Sequence, residues 1–195
     1  MRVPGVSGVV LLLAVTPVEA HTGTGLAGGF ASGFAHPLTG LDHLLAMICV
    51  GLWGAFLGRP LVYALPVIFP GVMVLGAALG MFAVPLPSVE IGVALSVLVL
   101  GVCIALSLRA PVWVASVIVA VFGMFHGYAH GRELPSAADP AGYSVGFVLA
   151  TGMLHLAGIS IGLLNNLPRG VMVTRSLGGA IGVAGGWFLY RAVVS

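Results

Sequence analysis

The stretch "HPLTGLDHLLAM" (residues 36–47) places an aspartate between two histidines at the start of a long apolar run. Charged residues make up only 6% of this 195-residue chain, so a carboxylate in such surroundings requires an explanation. Pro37 lacks the amide hydrogen that an inner helical turn requires, and Gly40 loosens the turn that follows. We therefore predict a first hydrophobic helix that is broken near Pro37, with the aspartate and both histidines gathered at the break.

The wider composition is that of a membrane protein. Hydrophobic residues make up 59% of the chain and its mean hydropathy is +1.18, more apolar than a soluble domain of this length requires. A helix needs about 20 apolar residues to cross a bilayer. The apolar runs predict an all-α polytopic membrane protein, a bundle of six transmembrane helices, at residues 26–57, 61–82, 88–108, 111–131, 141–164 and 171–193.

The first residues have the pattern of a secretory signal peptide. A single arginine precedes a short apolar run at 9–15, and Ala20 ends a stretch suited to cleavage. Cleavage would divide the chain into a signal peptide, 1–20, and a membrane domain, 21–195, that begins with His21. A terminal α-amine beside an imidazole is a chelating pair. The alternatives are an uncleaved first helix and an ordinary terminus.

Arginine supplies all seven positive charges, and its distribution predicts an orientation. With the mature N-terminus outside, four arginines fall in inner loops and two in outer segments, as the positive-inside rule expects. Arginines this few and this scattered do not form a nucleic-acid-binding surface. The inner arginines are Arg59, Arg109, Arg169 and Arg175, and the outer ones are Arg132 and Arg191.

A second group of polar residues lies in "FHGYAHGRE" (residues 125–133). On a helix, His126, His130 and Glu133 fall within an arc of about 60°. Two imidazoles one turn apart form a bidentate metal clamp, and a carboxylate one turn further can ligate the metal or orient an imidazole. The spacing is not the His-Glu-x-x-His of zinc proteases, so the general base of those enzymes is missing.

With the predicted orientation, both motifs lie at one level on the outer side of the membrane, and two further candidate residues lie at this level or deeper. Glu90 opens the third span at the level of both motifs, and His155 lies near the middle of the fifth span. Imidazole and carboxylate without thiolate suit a divalent nickel, cobalt, zinc or copper ion. His155 could instead be a hydrogen-bonded packing residue, and Glu90 and Glu133 could be solvated interfacial residues. Cys49 and Cys103 lie inside apolar runs, so we interpret them as packing residues.

Glycines spaced by four residues form three stripes. In lipid, such stripes let helix backbones approach closely, so they predict seams of helix packing. The middle stripe shares its helix with His126 and His130. The stripes are Gly25/Gly29/Gly33, Gly123/Gly127/Gly131 and Gly178/Gly182/Gly186.

Both polar motifs resemble the signatures of the HupE/UreJ family of hydrogenase and urease accessory nickel permeases. The first signature, His-x5-Asp-His, is met by His36, Asp42 and His43, and the second, Phe-His-Gly-x-Ala-His-Gly-x-Glu, is met by residues 125–133. The resemblance implies uptake of Ni²⁺, or in some members Co²⁺, across the bacterial inner membrane for metalloenzyme maturation. In that membrane, the orientation predicted from the arginines places the mature N-terminus in the periplasm. It implies transport rather than enzyme activity, and no permanently bound cofactor.

The metal-binding residues expected from the motifs, the topology and the predicted terminus form one set. They are His21, His36, Asp42, His43, Glu90, His126, His130, Glu133 and His155.

Two other functions compete with metal transport. A bis-histidine haem protein would take its axial ligands from His43, His126, His130 and His155. An intramembrane metal hydrolase would need a nucleophile motif, and the chain has none near the histidines. The G-x-x-x-x-G-K-[ST] nucleotide-binding loop is also missing from the sequence, so we expect no direct use of ATP, and no ATPase subunit is evident.

Overall fold

The computed structural model describes residues 29–133 and 140–194, and every regular element in these ranges is helical. The all-α prediction is therefore confirmed for the described residues. Seven α-helices follow one another within them, and a 3₁₀ turn, Leu163–Asn166, follows the sixth. The helices are α1 (Gly29–Thr39), α2 (Leu41–Leu57), α3 (Leu61–Met81), α4 (Val89–Ala105), α5 (Val112–Glu133), α6 (Pro140–Gly162) and α7 (Gly170–Val194).

The predicted break in the first hydrophobic helix is present, but it lies at Gly40 rather than at Pro37. Helices α1 and α2 meet there at an angle of 82°. The backbone of Gly40 is extended, with φ −85° and ψ 109°, which stops the helical hydrogen-bond ladder. Pro37 is buried inside α1. It removes only its own amide hydrogen bond, and α1 continues for two more residues.

Among the described helices, four are long and apolar enough to cross a membrane: α3, α5, α6 with its 3₁₀ extension, and α7. The bent pair α1 and α2 makes a fifth span if it counts as one. Helix α4 is apolar but has only 17 residues. The count of six spans therefore stays a prediction, and the predicted signal peptide lies outside the described residues. Val67 and Val183 are 70% and 76% exposed, as expected of a surface that faces lipid.

Helix α2 lies at the centre of the helical bundle. It packs against α1, α3, α4, α6 and α7. Met47, Leu52 and Trp53 on α2 are completely buried. The other main pairings are α3 along α5, α4 along α7, and α1 along α6. The start of α2, where Asp42 and His43 lie, is therefore surrounded by helices on several sides.

The middle glycine stripe is a packing seam, as predicted. Each glycine of the stripe faces a backbone carbonyl of α3, and an added Cβ at any of them would overlap that carbonyl oxygen. The three carbonyls belong to Phe69, Met73 and Ala77. The third stripe forms a seam only in part, because a Cβ at Gly178 would overlap α4 whereas one at Gly186 would meet open space. In the first stripe, Gly33 contacts the backbone of Tyr143, and Gly25 lies outside the described residues.

The four inner arginines lie near one end of the bundle. Trp53 on α2 donates its indole N–H to the carbonyl of Leu108 at 3.2 Å, and Arg175 on α7 donates to the carbonyl of Ala105 at 2.8 Å. These bonds bring together the C-terminal ends of α2 and α4 and the start of α7. The polar motifs lie toward the opposite end. This separation agrees with the predicted orientation, which stays a prediction.

Replacing Gly127 with alanine should lower the free energy of unfolding by about 1–3 kcal/mol, because the new methyl group would overlap the carbonyl of Met73. Gly186→Ala is the matched control, since a Cβ there meets open space and alanine favours a helix by about 0.5–1 kcal/mol. Thermal unfolding of both purified variants in one detergent measures the difference. Equal melting temperatures would contradict the packing seam.

Candidate metal-binding site

Four imidazoles from three helices form one cluster. His36 lies on α1, His43 on α2, and His126 and His130 on α5. The centroid of the His43 ring lies 4.7 Å from that of His126 and 4.6 Å from that of His130. The centroids of His36 and His130 are 4.8 Å apart. The structure therefore brings both predicted motifs together at one place.

Asp42 orients His43. Its Oδ1 accepts two hydrogen bonds of 2.8 Å, one from the His43 backbone N–H and one from the ring Nδ1. Because a carboxylate only accepts, Nδ1 carries the proton and Nε2 keeps its lone pair. This Nε2 is buried and has no hydrogen-bond partner among the described residues. A Cβ at Gly40 would lie 3.3 Å from the Asp42 Oδ1, so the glycine leaves room for this pair.

His126 is completely buried and is held from α4 by a residue that the sequence reasoning missed. Its Nε2 lies 2.9 Å from the hydroxyl oxygen of Ser96, which is also completely buried. The only sign of Ser96 in the sequence is its position as a lone polar residue in the apolar run "VALSVLVLG" (93–101). That sign is weak, because serine in a membrane helix can satisfy itself by bonding to its own backbone.

The side of the cluster near His130 is aromatic. The ring of Phe147 lies 4.3 Å from that of His130, and Tyr143 lies 6.0 Å from His36. A mostly apolar cavity of about 80 Å³ borders His130, Phe147 and Thr151 on this side. Imidazole binds metal in its neutral form.

A larger cavity of about 350 Å³ opens onto the other side of the cluster. Asp42, His43 and Glu90 line it together with Arg191. Glu90 is thus brought to the same end of the bundle as Asp42, as predicted. The side chains of His43 and Asp42 are 15% and 38% exposed, so both are accessible from outside the bundle. Arg191 was expected only as an outer arginine, because nothing in the sequence places α7 beside α2.

His155 lies apart from the cluster and is joined to it by Phe69. The ring of Phe69 is 5.3 Å from His126 and 5.6 Å from His155. Both ring nitrogens of His155 are buried without a hydrogen-bond partner among the described residues, and so is the hydroxyl of Thr151, one helical turn away. The carbonyl of Pro66 approaches the His155 ring but does not meet the geometry of a hydrogen bond.

The carbonyl of Pro66 is exceptional because of the residue four positions later. In a regular helix, the N–H at position 70 would bond to the carbonyl at position 66, but Pro70 has no N–H. Both prolines lie inside α3. The sequence suggested only a kink near these prolines and Phe69, whereas the structure places Pro66 and Phe69 beside His155.

Two of the predicted metal-binding residues, His21 and Glu133, lie outside the described part of the chain wholly or with their side chains. His21 lies outside the described residues, and Glu133 is the last residue of α5, with its side chain likewise outside them. Cys49 and Cys103 are free and buried, as expected of packing residues. Within the described ranges, no three His, Cys, Asp or Glu side chains converge as a finished metal site. The cluster is therefore a group of neighbouring imidazoles rather than a complete coordination sphere.

Comparison with known proteins gives two matches. The family described as HupE / UreJ protein matches residues 9–188, a range that contains both polar motifs. A curated relative, Protein HupE of Rhizobium leguminosarum bv. viciae, is 42% identical over 170 residues, which is 87% of this chain and 89% of that protein. Among solved structures, none matches the chain.

Replacing Asp42 with alanine should lower the affinity for Ni²⁺ by about 10–100-fold, because the carboxylate that orients the His43 ring is lost. Titration calorimetry on the purified protein in detergent measures the affinity. Thr39→Ala is the control, since the Thr39 hydroxyl is also near the break but donates only to the backbone carbonyl of His36. An Asp42→Ala protein that binds Ni²⁺ as tightly as the parent would refute the orienting role.

Proposed function

The chain belongs to the HupE/UreJ family, and from this premise we propose that it is a permease that imports Ni²⁺, or the similar Co²⁺, from the periplasm to the cytoplasm. In this proposal it crosses the bacterial inner membrane six times, with its mature N-terminus in the periplasm. The imported metal serves the maturation of hydrogenase or urease. The chain acts as a transporter and not as an enzyme, with the metal as its substrate and no permanently bound cofactor.

The four-imidazole cluster is the observation that carries this proposal. His36, His43, His126 and His130 come from three helices, and their neighbouring rings lie within 4.6–4.8 Å of one another. Imidazole nitrogen is a suitable ligand for nickel, copper, zinc and iron ions. A set of imidazoles with few carboxylates also suits transport, because the ion has to leave as well as bind.

The 350 Å³ cavity is the proposed entrance through which the metal ion reaches the four-imidazole cluster. Its two carboxylates, Asp42 and Glu90, raise the local concentration of a divalent cation. Glu133, at the end of α5, adds a third carboxylate near the same end of the bundle in this proposal. The terminal amine and imidazole of His21 would capture the ion before it enters the cavity.

The proposed path continues inward past Phe69 to His155. The His155 ring nitrogens and the Thr151 hydroxyl are buried without hydrogen-bond partners among the described residues. The carbonyl of Pro66, which Pro70 leaves without its helical donor, lies near the His155 ring. Burying an unsatisfied polar group costs about 1–3 kcal/mol. A passing cation would offset part of that cost by binding the lone pairs of one His155 nitrogen, the Thr151 hydroxyl and the Pro66 carbonyl. His155 is therefore proposed as a second binding site for the ion, after the four-imidazole cluster.

The spacing of the rings does not favour the haem alternative. In a bis-histidine haem protein, a porphyrin plane lies between the two axial imidazoles. The rings of His43 and His126 are in direct contact, with centroids 4.7 Å apart, which leaves no space for a porphyrin. His126 and His155 are both in contact with the Phe69 ring, which occupies the space next to each of them.

Nickel uptake in a nickel-starved host tests the proposed function. The chain should raise uptake above that of an empty vector, and His43→Ala should reduce uptake at limiting Ni²⁺ at least about tenfold, since it removes a central imidazole of the cluster. A series of Ni²⁺, Co²⁺ and Zn²⁺ gives the metal preference. Uptake by the parent chain no higher than that of the empty vector would overturn the proposal, and a Soret band in the purified protein would favour the haem alternative.

His155→Ala should lower the maximal uptake rate more than it lowers Ni²⁺ affinity, because His155 is separated from the four-imidazole cluster by Phe69. Uptake rates over a range of Ni²⁺ concentrations, together with calorimetry, separate the two effects. Met153→Ala on the same helix is the control, since Met153 is 58% exposed on the lipid-facing side. If His155→Ala transports as fast as the parent, His155 does not lie on the path.

A further inference from the structure

Ser96 makes two hydrogen bonds with a single hydroxyl group. Its Oγ donates to the carbonyl of Val93 at 2.6 Å and lies 2.9 Å from the Nε2 of His126. Both Ser96 and His126 are completely buried, so water does not compete for these bonds. A hydroxyl has one hydrogen and two lone pairs. The two contacts of Ser96 therefore cannot both use its hydrogen.

Hydrogen counting settles which group donates in each contact. If the hydroxyl donated to His126, the carbonyl of Val93 and the serine oxygen would face each other with lone pairs only, at 2.6 Å. If the hydroxyl donates to Val93, the Nε2–H of His126 donates to a free lone pair of Ser96, and every atom in the chain of bonds is satisfied. The second arrangement is the favourable one.

This arrangement fixes the tautomer of His126. A neutral imidazole carries one proton, so a proton on Nε2 leaves the lone pair on Nδ1. The Nδ1 of His126 is buried and has no hydrogen-bond partner among the described residues. Asp42 fixes His43 in the opposite tautomer, with its lone pair on Nε2. The two rings are in contact and nearly perpendicular, at 80°.

We propose that Ser96 is a positioning residue, which selects Nδ1 of His126 as the nitrogen that binds the transported divalent metal. Within the cluster, Ser96 does for His126 what Asp42 does for His43. The inference rests on the proposed function for the identity of the metal, whereas the assignment of the tautomer does not depend on transport.

Ser160 shows what a purely local serine bond looks like in the same protein. Its hydroxyl donates to the carbonyl of Leu156, four residues earlier on α6, and the residue is exposed. Ser96 makes the equivalent bond to its own helix, three residues back, and in addition accepts a hydrogen bond from the Nε2 of His126. Ser160→Ala is therefore the matched control for Ser96→Ala.

Nuclear magnetic resonance of the full chain in detergent, with nitrogen-15-labelled histidine, tests the tautomer directly. Protonated and unprotonated ring nitrogens resonate in well-separated regions, and comparison with His126→Gln assigns the His126 signals. We expect a protonated Nε2 in the parent and in Ser160→Ala, and a shift toward protonated Nδ1 in Ser96→Ala. A parent His126 that carries its proton on Nδ1 would overturn the inference.

Calorimetry with Ni²⁺ on the same samples tests the consequence. Ser96→Ala should weaken binding by about 10–100-fold, as expected when the group that orients a metal-binding histidine is removed. Ser96→Thr keeps the hydroxyl and should restore most of the affinity, which a purely packing role of Ser96 would not predict. Unchanged affinity in Ser96→Ala refutes the role of Ser96 in metal binding. If the parent chain fails to raise cellular uptake while the parent and Ser96→Ala still differ in the His126 tautomer, only the proposed function is contradicted.

Discussion

The bend at Gly40 is the constraint on which the site depends. In one straight helix, His36 and His43 would be about 10 Å apart along the axis, because seven residues rise at about 1.5 Å each. With α1 and α2 at 82°, their ring centroids lie 6.5 Å apart, and both rings contact His130 on α5. Because of the bend, both α1 and α2, two parts of one hydrophobic segment, contribute an imidazole to the same cluster. The same bend places Asp42 in the first turn of α2, where its carboxylate bonds to His43.

Close backbone packing keeps α5, which carries His126 and His130, in place. Lipid offers no hydrophobic driving force between helices, so their approach depends on small residues. The glycines of α5 press against carbonyls of α3, and Phe69 of α3 meets His126 as a result. Helix α4 contributes Ser96 from a further side. Helices α3, α4 and α6 therefore all contact the cluster, although only α1, α2 and α5 supply its imidazoles.

Much of this arrangement could be predicted from the sequence, because the signals were local. The limits of α3 to α7 fall within a few residues of the predicted spans, since apolar runs end where polar loops begin. The position of the break was predicted less well: Pro37 is visible in the sequence, but a helix tolerates one lost hydrogen bond. Ser96 and Arg191 could not be predicted, because their roles depend on which helices become neighbours in the bundle.

The small number of carboxylates in the cluster limits how many ions it can hold. Asp42 is the only acidic side chain hydrogen-bonded to an imidazole among the described residues of the cluster, and the imidazoles bind metal in neutral form. With Asp42 as its one charged partner in the described part of the cluster, a divalent ion held by these imidazoles keeps a net positive charge, and like charges repel strongly where the dielectric constant is low. A second ion therefore meets a barrier until the first has moved on. If the chain transports metal as proposed, this charge balance favours one ion in the cluster at a time, so ions would pass through the protein one after another.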